Sequence, residues 1–180
     1  MKAFRVALII ACTSFFVGCP ARSIHPLFTD ADAVFNSSLI GSWKSEGETY
    51  TFEKLKEKNY KLVIRSNSSN DSSLYVVLCG KIGSWWFLDS YPLTGSGEHH
   101  FLPVHMITKM TLIRDTLRLA SLEADWLSKM IAEKKIHIQH VKRNDEIILT
   151  ASTQELQNFI TTIGGNEQAF PNPADFIRVK

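Results

Sequence analysis

What most limits the folds open to this chain is a series of short segments in which apolar and polar residues alternate at every second position. The connections between them are of hairpin length. Residues 49–54 place Tyr50 and Phe52 on one side and Thr49, Thr51 and Glu53 on the other. Residues 60–65 set Tyr60, Leu62 and Ile64 against Lys61, Val63 and Arg65, and the polar Lys56-Glu57-Lys58-Asn59 between the two segments reads as a turn. Further strands are predicted over residues 39–44, 74–79, 85–89, 101–113, 116–122, 137–141 and 146–150, with 176–179 as a last one. Gly80 to Ser84, a Gly-containing loop around Gly95-Ser96-Gly97, Arg114-Asp115 and Asn144-Asp145 mark the turns. About eight to ten such strands in a meander leave two exposed edges unless the sheet closes on itself. The expected fold is mainly β, an antiparallel meander closed into a barrel, with two or three short helices.

The helices have their own signals. Trp126, Leu127, Met130 and Ile131 fall on one side of a helix over residues 123–134. Ser152 and Glu155 have capping-box spacing, and Leu156, Phe159, Ile160 and Ile163 follow at amphipathic spacing until Gly164-Gly165. Residues 30–35 are expected to form one or two helical turns capped by Thr29 or Asp30.

The first 18 residues have a different character. Lys2 and Arg5 precede a run from 6 to 17 that is almost free of polar groups and contains no acid. That is the layout of an export signal, and about a dozen residues fall short of the roughly 20 a membrane-spanning helix needs. Phe16-Val17-Gly18-Cys19 resembles the lipobox of bacterial lipoproteins, with Phe16 where leucine is usual. The resemblance implies cleavage between Gly18 and Cys19, a diacylglyceryl group on the Cys19 sulfur, and a membrane-anchored place in the bacterial cell envelope, inner or outer membrane unspecified. The expected organisation is a signal over residues 1–18, a lipidated tether over 19–29 and a single domain over 30–180. A tether of ten extended residues reaches at most about 35 Å.

Charge follows from that reading. The chain has 20 Lys and Arg against 18 Asp and Glu, and loss of the signal removes Lys2 and Arg5, so the remainder balances at 18 of each. No basic stripe argues for nucleic acid. Of the three cysteines, Cys12 leaves with the signal and Cys19 takes the lipid, so no internal disulfide is expected and Cys79 reads as a small buried hydrophobe.

Gly41-Ser42-Trp43, at the entry to an early strand, resembles the Gly-x-Trp signature of lipocalins and related calycins. The resemblance implies a lipocalin-like barrel in which Trp43 plugs one end and a late arginine packs over it by cation–π attraction; Arg143 and Arg178 both qualify. The mature chain also resembles small bacterial lipoproteins without assigned activity, through His25-Pro26-Leu27-Phe28, Gly41-Ser42-Trp43, Leu102-Pro103-Val104-His105, residues 115–127 and residues 148–159.

Catalytic and metal motifs are sparse. His99, His100 and His105 lie near one another in sequence and His137 and His140 further on, but adjacent His99 and His100 would face opposite ways in a strand, so no metal site is expected. Gly95-Ser96-Gly97 lacks a nucleophile-elbow frame, and Asp89, Glu123 and Asp125 read as capping or solvated acids. Trp85, Phe87 and Tyr91 share one face of an aromatic strand and are the candidate cavity lining, with Trp86 and Leu88 on the other. These features lead to a non-enzymatic binding module without a cofactor, held at the membrane through Cys19 and taking a small apolar or amphipathic ligand. The alternative is a structural lipoprotein presenting a surface to an envelope protein.

Overall fold

The computed structural model describes residues 19–69, 71–93, 103–143 and 146–180. Residues 1–18, expected to be an export signal and ending in Gly18, together with Gly95-Ser96-Gly97, His99, His100 and Asn144-Asp145, lie outside the described residues.

The chain is mainly β and builds an eight-stranded antiparallel closed barrel with two short α-helices against it. In chain order the elements are β1 (Arg22–Ser23), a 3-10 turn (Ser37–Leu39), β2 (Gly41–Lys44), β3 (Glu48–Lys54), β4 (Asn59–Ser66), β5 (Ser72–Ile82), β6 (Trp85–Pro92), β7 (His105–Ile113) and β8 (Thr116–Ser121). They continue with α1 (Ala124–Ala132), β9 (His140–Arg143), β10 (Glu146–Leu149), α2 (Thr153–Ile163) and β11 (Ala174–Arg178). Strands β2 to β8 run as a meander. The last strand, β11, inserts between β2 and β8 and completes the ring. Closure pairs every barrel edge, which the alternating pattern required. The short β1 joins the end of β7 to β10, and β9 lies beyond β10, so these three form a side sheet outside the ring.

Alternation divides the apolar residues into two cores. The barrel interior holds Leu39, Trp43, Phe52, Tyr60, Leu62, Val77, Cys79, Leu88, Met110, Leu117, Leu119 and Phe176. A second core lies outside the wall, where Leu78, Ile82, Phe87 and Ile107 meet Leu156, Phe159, Ile160 and Ile163 of α2. The expected capping box is present: the Ser152 side chain meets the Glu155 backbone and the Glu155 side chain meets the Ser152 backbone.

Residues 20–29 are not the expected tether. Pro20 bridges to Glu123, Ala21 N–H donates to the Leu122 carbonyl at 2.7 Å, and Ala21, Ser23, Leu27 and Phe28 are buried. The physical reason is the second core: the outer faces of β5 to β7 are too apolar to be left to water, and residues 20–35 cover them as a strap. The strap is held at several points. Leu27 N–H donates to the fully buried Asp89 carboxylate at 2.7 Å, and His105 Nδ1 lies 2.8 Å from the other Asp89 oxygen. Gln157 of α2 donates to the Leu27 carbonyl, and Val34 N–H to the Cys79 carbonyl. The Phe28 ring lies against Gly80, where any Cβ would overlap it. Between 30 and 35 the chain forms a single turn closed by Ala33 N–H on the Thr29 carbonyl, shorter than expected.

Candidate functional site

The two ends of the barrel differ. At one end the strap crosses beneath the strands and seals it. Phe35 stacks on Tyr60 with ring centroids 5.1 Å apart, and Tyr60 Oη donates to the Asn36 carbonyl. Leu39 drops into the interior, and its carbonyl accepts from the Trp43 indole at 2.9 Å. The late arginine is Arg178, from β11. Its guanidinium carbon lies 4.1 Å from the Trp43 ring centroid, and its nitrogens donate to the carbonyls of Ile40 and Ser38. Register puts it there, because Arg178 pairs directly with Trp43. Gly41 makes room: its φ is +123°, and a Cβ would come 3.1 Å from the Arg178 nitrogen. Arg143 lies in β9, outside the ring, and is not the covering residue.

The opposite end opens into a cavity of about 1040 Å³. Its wall comes from the inward positions of seven strands: Tyr50 and Phe52, Leu62 and Ile64, Tyr75 and Val77, Leu88, Met106, Leu119 and Phe176. Tyr50 and Phe176 pack at 4.4 Å between ring centroids. Burial, reinforced by the neighbouring Glu48 carboxylate, pushes the Tyr50 phenol well above its usual range, so it stays a neutral hydroxyl in any ordinary medium. Polar groups gather toward the rim: Glu48, Ser73, Ser90, Thr108, Ser121 and Glu123. Among the described lining residues there is no Lys, Arg or His. Glu123 also caps α1, accepting from the Trp126 N–H.

The expected cavity lining is corrected by this geometry. Trp85, Phe87 and Tyr91 point outward. Phe87 is buried in the second core against Phe170, and Tyr91 packs on His105 at 4.9 Å. Trp85 lies beneath the end of α2, with the Lys109 ammonium 3.8 Å from its ring centroid and donating to the Gly164 carbonyl. Inward positions on the same strand are Trp86, Leu88 and Ser90. Alternation identifies two faces but not which one closure turns inside. The outer face is covered mainly by the strap and α2, and α1, which carries Trp126, sits at its margin.

Elsewhere the chemistry is thin. His137 and His140 line a separate surface groove of about 740 Å³ between α2 and residues 134–140, and His140 Nδ1 contacts the Ile138 carbonyl. Among the described residues no three His, Cys, Asp or Glu gather into a metal-binding group. The Asp89–His105 pair has the carboxylate–imidazole geometry of an acid–base relay. Ser23, paired in register with His105, is buried and donates to the His25 carbonyl. Among the described residues no helix is long and apolar enough to cross a membrane. No protein-family profile, curated protein or solved structure matches the chain.

Proposed function

We propose that this protein is a lipid-anchored, non-catalytic binding module of the bacterial cell envelope. On this reading the lipocalin-like barrel holds one amphiphile tail-first, and the anchor is lipid on Cys19 after removal of residues 1–18. The observation that carries the reading is the cavity. It is at the large end of the usual range of about 300–1,000 Å³ for small-molecule sites, apolar in depth and polar at the rim. The rim narrows the ligand class. Carboxylates at Glu48 and Glu123, with hydroxyls from Ser73, Ser90, Thr108 and Ser121, suit a hydroxylated or otherwise uncharged headgroup and repel a fatty carboxylate.

Native mass spectrometry of the Cys19→Ser protein tests the reading against two single-chain probes, a monoacylglycerol and the matching fatty acid. Saturable one-to-one binding of the monoacylglycerol, with the fatty acid weaker, is the expected result. Binding of neither probe at saturating concentration overturns it. A second reading, presentation of a surface to an envelope protein, draws support from exposed Ile113, Ile177 and Val179 on the outer wall. Ile113 and Ile177 both pair with Thr116. Stoichiometric crosslinking in cells to one protein, lost on Ile177→Asp, would favour it.

A further inference from the structure

The position of Cys19 relative to the cavity has a consequence that rests on the lipid-anchor reading above. Cys19 is exposed, yet its backbone is fixed: its carbonyl accepts from Ala124 N–H at 3.0 Å. The next residue, Pro20, bridges to Glu123, and both Pro20 and Glu123 line the cavity mouth. The strap then runs from the mouth along the wall to the sealed end, reaching Trp43 only after Leu39. An acyl chain on the Cys19 sulfur therefore leaves the protein at the rim with no spacer, one residue from the opening and a full barrel length from the Arg178 plug. Consecutive Cα atoms lie only about 3.8 Å apart, so the rim cannot swing away from its anchor while the clamp holds. Leu74 and Leu93, joined by a backbone hydrogen bond at the same end, are exposed apolar side chains that a lipid surface would cover.

We infer that the barrel stands mouth-down on the bilayer, so that the cavity exchanges its ligand directly with membrane lipid and not with bulk water. The partner is a lipid surface. The acids and hydroxyls described at the rim do not favour an anionic headgroup, and the anchor supplies the attraction to the surface.

Hydrogen exchange read by mass spectrometry tests this on the full-length gene product, extracted from membranes and reconstituted in phosphatidylcholine vesicles. Soluble Cys19→Ser protein is the baseline. Amides at residues 72–74 and 121–124, with those of Asn172 and Ala174, should exchange several-fold more slowly on vesicles, while those of the 82–85 and 113–116 turns stay at baseline. A twelve-residue Gly/Ser insertion between Cys19 and Pro20 keeps the Pro20–Glu123 bridge and lets the carbonyl of the last inserted residue take the place of Cys19 on Ala124, while freeing Cys19 itself. It should abolish the protection and slow the loading of a fluorescent monoacylglycerol from vesicles, without changing its affinity in solution. Protection at the sealed end, protection that survives the insertion, or none at all overturns the orientation and leaves the binding reading standing. An extracted protein whose mass shows no acyl group on Cys19 overturns both the anchor and the orientation.

Discussion

Gly41, Trp43 and Arg178 act as one unit, because the arginine reaches its aromatic partner only across a position that lacks a side chain. Gly41→Ala imposes an unfavourable backbone angle and presses on the guanidinium, a cost of about 1–3 kcal/mol. Arg178→Met keeps much of the packing but loses the cation–π contact and two carbonyl bonds, about 1–3 kcal/mol. The double variant should cost less than the sum in urea denaturation, and full additivity would show that the two positions are independent. The three-residue signature was legible in the sequence, whereas the choice between Arg143 and Arg178 was not, since it depends on which strand closes the ring. Cys79 was legible too. Burial lifts its thiol from 9.0 to about 12, and Tyr60 rises from 10.0 to about 12 for the same reason. Both groups are thus neutral when folded over a range where the unfolded chain would ionise. Their contribution to stability is complete below about pH 9 and is lost as pH climbs toward 12. Urea midpoints should fall over that window, and less steeply in Cys79→Ala. In a Cys19→Ser background, the native protein at pH 8 should resist thiol reagents that modify it once unfolded.

At the scale of elements, the strap and α2 form a paired cover whose attachment depends on one buried carboxylate. Asp89→Ala strands the Leu27 N–H and the His105 ring inside the second core, and a loss of about 2–4 kcal/mol is expected. Exchange of amides 21–35 should accelerate more than that of β3 and β4 if the strap loosens as a unit. Ser152→Ala removes one half of a complete capping box and should lower the urea midpoint by an amount equivalent to about 1 kcal/mol. Strands and helices were readable from their periods, because each period reports which side of an element is dry. The strap was not: residues 20–29 have no period, and their burial is imposed by surfaces made later in the chain. Nor was the sense of the aromatic strand, although two residues hinted at it. Gly80, paired with Phe87, marks a close approach on that face, and Asp89 in the same register needs partners that a dry barrel interior would not offer.

For the whole molecule, the cavity is a volume that no local pattern could disclose, since its lining draws on residues from position 20 to position 176. Ser90→Phe should fill it from the side of the rim, abolishing monoacylglycerol binding while leaving the unfolding temperature within a few degrees of the parent. Retained binding in a folded variant would place the ligand elsewhere. The ring itself is sealed by β11, five residues near the end of the chain, set between β2 and β8. Contacts of such wide sequence separation form slowly. Pro20 and Ala21 emerge early yet find their backbone partners, Glu123 and Leu122, only after more than half the protein has been made, and β1 must wait longer still for β10. On the proposed lipid-anchor reading, a nascent molecule would trail an acylated Cys19 loosely, and the moment that residue locks to the rim would coincide with completion of the fold.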